Sequence, residues 1–157
     1  MDFGSAVRSG YKNYFRLRGR AKRSEYWYFF LFTMLLSVAT QTLLVAAHHA
    51  DPGIRLTLDL LSLTISIVSL SAICPSVTLL VRRLHDAAHS GWWILAQFST
   101  LIFGSLLAAT GLISHMKPVI FAGIALGVAN VVICLVIFIF LVQPSNDAYN
   151  RYDIERY

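Results

Sequence analysis

The chain has 157 residues, 57% hydrophobic and 13% charged, with a mean hydropathy of +0.64. Soluble domains carry about 25% charged residues, so this composition excludes an ordinary water-soluble globule. The net charge of +5 must sit on what remains between long apolar runs.

Four stretches lack Asp, Glu, Lys and Arg: Tyr26 to Ala50, Leu60 to Val81, Ala87 to Met116, and Pro118 to Asn146. Trimmed of polar ends, each supplies the roughly 20 apolar residues that a helix needs to cross about 30 Å of hydrocarbon. The spans are placed at about 26–47, 58–81, 92–113 and 119–142. These four use most of the chain, so it reads as a single membrane domain, 1–157, with no separate extramembrane domain. The first run is longer than the roughly 7–15 residues of a signal-peptide core, so no cleavable signal is expected. Cys74 and Cys134 both fall within spans, where thiols act as small packing residues, and nothing suggests a disulfide framework or a zinc site.

The basic residues divide unevenly. The segment 1–24 carries Arg8, Lys12, Arg16, Arg18, Arg20, Lys22 and Arg23; the connector between spans two and three carries Arg82 and Arg83, and the tail 143–157 carries Arg151 and Arg156. The other two connections hold only Arg55 and Lys117, so the division by side is eleven against two. Positive segments stay cytoplasmic, which places both termini and the central connector inside. The expected partner of that face is the bilayer itself, through anionic phospholipid headgroups. No folded basic module stands outside the bilayer to take nucleic acid.

In chain order, Phe3, Val7, Tyr11, Tyr14 and Phe15 recur at helical spacing with Arg8, Lys12 and Arg16 between them. The pattern predicts an amphipathic interfacial helix over 3–17 with aromatic anchors, interrupted at Gly10. Gly19 breaks it, and Ser24 is the expected N-cap of span one, with Glu25 in its first turn, where a carboxylate suits the helix dipole. Tyr26 to Phe30 form an aromatic belt. Adjacent His48 and His49 point apart on a helix and lack a third ligand. Span two carries Ser62, Ser66, Ser69 and Ser76 near one face, and Pro75 should kink it by removing a backbone hydrogen bond. Ser90 and Gly91 read as a turn and cap before the interfacial pair Trp92-Trp93. In span four, Gly123 and Gly127 form a small-xxx-small pattern, which suits close helix packing within the chain or a homo-oligomer seam. Asn130 is the most polar residue there.

Arg82-Arg83-Leu84-His85-Asp86-Ala87-Ala88-His89-Ser90-Gly91-Trp92-Trp93 concentrates the chemically capable side chains. Together with Gly19-Arg20-Ala21-Lys22-Arg23-Ser24-Glu25-Tyr26-Trp27 and Asn150-Arg151-Tyr152, and with Pro75 upstream, it resembles the YhaH-like bacterial inner-membrane family, a domain of unknown function numbered 805. The resemblance covers nearly the whole chain. It implies a small multi-span inner-membrane protein and brings no activity, substrate, cofactor or catalytic residue. The family pattern places glycine where Ala88 stands, a basic residue where His89 stands, and glycine where Asp153 stands.

The fold class expected is an all-α integral membrane protein, with four transmembrane helices in a bundle, an interfacial N-terminal helix and cytoplasmic termini. The candidate site is a cytoplasmic-face cluster of Arg20, Arg23, Glu25, Arg82, Arg83, His85, Asp86, His89, Trp92 and Arg151. Carboxylates beside hydrocarbon need partners, so Arg82 and Asp86 at i,i+4 or Arg83 and Asp86 at i,i+3 should pair, and Glu25 should take another arginine. His85 and His89 share the i,i+4 spacing of a metal site, but two arginines oppose a cation. No metal, cofactor or catalytic residue is assigned. The function expected is a non-enzymatic membrane component that binds lipid or a protein partner through its basic face. The alternatives are an oligomeric channel or small-solute transporter using the serine face of span two, and an enzyme acting on a lipid headgroup through His85 and Asp86.

Overall fold

A computed structural model describes residues 1–144. Arg151, with Asn150 and Tyr152, lies outside the described residues. The secondary structure is helical: α1 (Phe3–Lys12), α2 (Arg23–His49), α3 (Pro52–Ser71), α4 (Ile73–Asp86), α5 (Trp92–Ile113) and α6 (Lys117–Val142). Among the described residues, four helical segments are long and apolar enough to cross a membrane: α2, the 35-residue α3–α4 segment, α5 and α6. The chain forms two compact units, Met1–Arg82 and the part from Arg83 onward.

In the first unit, α2 and α3 run along each other and α1 lies against α2. Helix α2 starts at Arg23 with an extended Lys22 as its N-cap, two residues before the Ser24 cap expected. Gly19 takes a left-handed backbone with φ 98°, which lets the chain reverse between α1 and α2. Pro52 opens α3, in the position where a missing N–H costs nothing. Span two begins earlier than 58 and runs on to Asp86, broken at Ala72. The break follows from Pro75, whose ring has no N–H to give Ser71 and crowds its carbonyl, four residues back. Ala72 N–H turns to Ser69 O at 3.1 Å and Val68 O at 3.2 Å, and Ser76 N–H resumes the ladder to Ala72 O at 3.0 Å.

Helix α1 departs from expectation. It ends at Lys12 rather than 17, and Gly10 does not interrupt it. Gly10 is buried, and a Cβ there would lie 2.5 Å from the Phe29 ring and 3.3 Å from Leu79. The glycine is a contact surface, not a breaker. Tyr11 packs against the buried set Ala21, Phe29, Ala72 and Leu79, and its hydroxyl lies 3.2 Å from Ser71 Oγ. Phe3 meets Tyr28 and Phe32 edge-on. Within α1, Phe3 and Tyr11 therefore face protein, while Phe15, beyond its end, is exposed.

In the second unit, α5 and α6 form a close antiparallel pair. Lipid tails are as apolar as leucine, so helices associate there through close packing and hydrogen bonds. A Cβ on Gly123 would lie 2.5 Å from Ala108 N, and one on Gly111 would lie 2.7 Å from Ile120 N. Gly123 is thus spent within the chain, while Gly127 faces open space. Asn130 Nδ2 donates to Gln97 O at 2.9 Å and Thr100 Oγ1 at 3.0 Å, and Gln97 Nε2 donates to Asn130 Oδ1 at 3.3 Å. Cys74 and Cys134 are exposed rather than packed.

Candidate functional site

The first unit buries Arg82 and Glu25, 8% and 6% exposed. Arg82 Nη1 stands 3.6 Å from Glu25 Oε1, and Ser9 Oγ of α1 donates to the same oxygen at 2.7 Å. Arg82 Nη2 donates to Arg20 O at 3.1 Å, and Ala21 N–H returns a bond to Arg82 O at 3.2 Å. The segment after Gly19 is thus laced to the end of the α3–α4 segment by backbone as well as charge. Arg20 contributes its carbonyl, and Arg23 sits half-buried in the first turn of α2. Arg82 Nε and Nη1 are buried without a hydrogen bond among the described residues, so charge pairing does more here than directed bonds. Removing one member of such a pair leaves a buried charge uncompensated, at about 3–5 kcal/mol.

In the second unit, Arg83 is fully buried. It bonds the Asp86 carboxylate three residues on, the pairing expected at i,i+3, while Arg82 turns to Glu25. Arg83 Nε and Nη2 donate to Leu141 O at 3.2 and 3.1 Å, and Nη2 also donates to Gln143 O. The last carbonyls of a helix have no partner of their own and carry partial negative charge. Arg83 is a side-chain cap on the exit of α6.

The central connector is a helix stop. Ala88 N–H bonds His85 O at 3.0 Å and His89 N–H bonds Leu84 O at 2.8 Å, with Ala88 left-handed at φ 60°. Those two bonds around a left-handed residue are a Schellman ending. Because α4 ends at Asp86, His85 and His89 do not share a helical face. His89 instead stacks on Phe140, ring centroids 3.6 Å apart, with Nε2 3.3 Å from Gln143 Oε1. Trp93 meets Phe140 edge-on, whereas Trp92 is 75% exposed.

The remaining polar groups bear on the alternatives. Ser62, Ser66, Ser69 and Ser76 donate to Asp59 O, Ser62 O, Ile65 O and Ala72 O, each within its own segment. These hydroxyls donate their protons to the backbone. Asp86, the carboxylate of the enzyme alternative, is engaged by Arg83. Exposed cations concentrate instead at Arg8, Lys12, Arg16, Arg18 and Lys22. A groove along α1 is lined by Asp2, Ser5, Arg8, Ser9 and Lys12, with Gly4. There the Ser5 hydroxyl bonds the Asp2 carboxylate and holds it below its usual range.

Missed by the sequence reading were Ser9, Gln97 and the carbonyls of Leu141 and Gln143. Ser9 at a small, inward position of α1 was the available signal; the carbonyls leave none.

Residues 14–154 match the family model of DUF805, described as a protein of unknown function. The chain is 33% identical over 91 residues to the inner membrane protein YhaI of Escherichia coli K12, covering 58% of this chain and 69% of that one. It is 35% identical over 88 residues to the inner membrane protein YhaH of the same strain, covering 54% of this chain and 64% of that one. No solved structure matches.

Proposed function

The chain belongs to the DUF805 family, and on that premise we propose a non-enzymatic inner-membrane component whose exposed N-terminal cations hold anionic phospholipid headgroups at the cytoplasmic face. The observation that carries this reading is the division of the basic residues. Arg82 and Arg83 are buried and engaged by Glu25, Asp86 and helix-end carbonyls, so they act as clasps. Arg8, Lys12, Arg16, Arg18 and Lys22 are exposed within one short segment that leads directly into α2. Each basic residue near an anionic surface contributes about 1 kcal/mol, so even a few give a preference over zwitterionic lipid.

The test is lipid analysis of the full chain purified in mild detergent. Wild-type protein should retain phosphatidylglycerol over phosphatidylethanolamine relative to the membrane of origin. The combined variant Arg8→Gln, Lys12→Gln, Arg16→Gln, Arg18→Gln should lose that enrichment several-fold. An unchanged lipid ratio in the variant, with helicity retained, overturns the reading.

A further inference from the structure

We infer that Phe15 and Leu17, interleaved with Arg16 and Arg18, form a wedge that inserts into the interfacial layer of the membrane crossed by the protein's own spans. The inference deepens the headgroup reading above and rests on it for the role of the two arginines. Helix α1 stops at Lys12, and Arg16 N–H closes a turn onto Asn13 O at 3.0 Å. Beyond that turn, Phe15 is 80% exposed and Leu17 50% exposed, with Arg16 and Arg18 exposed beside them. This is not the apolar stripe of α1. That stripe is already covered, with Gly10 and Tyr11 against Phe29 and Leu79. Tyr14 is half-buried beside Tyr11, ring centroids 6.4 Å apart. Phe15 and Leu17 are what α1 leaves over.

The occupant follows from tether length and charge. Four residues separate Arg18 from Arg23, where α2 begins, and a chain extends by at most about 3.5 Å per residue. Nine residues on from Leu17, the aromatic belt begins at Tyr26, a reach of at most about 32 Å, and the bond from Ala21 N–H to Arg82 O at 3.2 Å ties the middle of that stretch to the end of the α3–α4 segment, which keeps the wedge beside the end of its own span. Arginine stems reach along apolar surface while their guanidinium groups stay with phosphate, so alternation of large apolar and cationic side chains suits an anionic lipid interface. A protein surface of the same chemistry would need acidic groups set between apolar pockets.

The experiment uses the full chain with Cys74→Ala and Cys134→Ala, carrying one nitroxide label at Phe15→Cys, Leu17→Cys or Lys12→Cys, in liposomes of phosphatidylglycerol or of phosphatidylcholine. Relative accessibility to oxygen and to a water-soluble nickel chelate reports depth. Labels at 15 and 17 should show an oxygen-to-nickel ratio several-fold above that at 12, higher in phosphatidylglycerol. A ratio at 15 and 17 equal to that at 12 overturns the wedge while leaving headgroup retention by the purified protein intact. Shielding of both labels from both reagents means a second copy or a protein covers the site, and also overturns it. Equal insertion in both lipids supports the wedge and counts against the headgroup reading.

Discussion

Ala88 sits at the one position of the central connector where the backbone excludes most side chains. Its φ of 60° places a Cβ against the following carbonyl, a conformation that costs an L-residue about 1–2 kcal/mol relative to glycine. The two bonds of the helix stop, from Ala88 and His89, are kept despite that cost. Ala88→Gly should therefore raise the unfolding temperature of the detergent-solubilised chain, with a gain of about 1 kcal/mol; an unchanged or lowered midpoint would show that the turn is not strained. The family resemblance implies glycine here, so alanine left the turn in doubt, and the turn forms nonetheless. The assignment of arginines was only half legible. Spacing along α4 offered Asp86 to Arg83 and to Arg82 alike, and the structure gives it to Arg83. The choice of Glu25 depends on the segment after Gly19 folding back, with Ala21 N–H on Arg82 O, and no local spacing encodes that.

Helix α1 shows where a periodic pattern runs out. Its aromatic stripe was readable from the sequence, but hydrocarbon and a protein core select the same residues, so periodicity cannot tell which of the two the stripe faces. The structure sets it on Phe29 and Leu79 through Gly10, and Ser9 ties it to Glu25. Gly10 then decides whether α1 docks. Gly10→Leu should push α1 off this surface, loosening the backbone around the already exposed Lys12, Arg16 and Arg18 and raising the rate of tryptic cleavage there at least several-fold. Gly4→Ala is the control, since the nearest atom to a Cβ at Gly4 is 3.7 Å away. Equal cleavage of the two variants would mean that α1 does not depend on this contact. The break at Ala72 was legible from Pro75, because the lost hydrogen bond is a property of proline itself. The pairing of α5 with α6 was half legible: Gly123 announced a close approach, while Gln97 as the partner of Asn130 required knowing the rotation of two helices.

At the scale of the whole chain, the four spans were legible because length and apolarity are summed over some twenty residues, where single-residue ambiguity averages out. Sidedness rests on a different sum. Four crossings predict that the N-terminal segment, the central connector and the tail 143–157 lie on one side, a grouping that carries eleven of the thirteen basic residues. Each compact unit is consistent with that grouping on its own terms. In the first, the N-terminal segment meets Arg82 at the end of the α3–α4 segment; in the second, Arg83 meets the end of α6. The positive-inside bias then predicts that this shared side is cytoplasmic. A periplasm-active reporter inserted after Ala50 or after Met116 should be active, and the same reporter after Ala88 or at the C-terminus should be silent. Activity at Ala88 with silence at Ala50 would invert the chain. The exposed cations of the N-terminal segment would then face the periplasmic leaflet, and both the headgroup contacts and the wedge would have to be sought there.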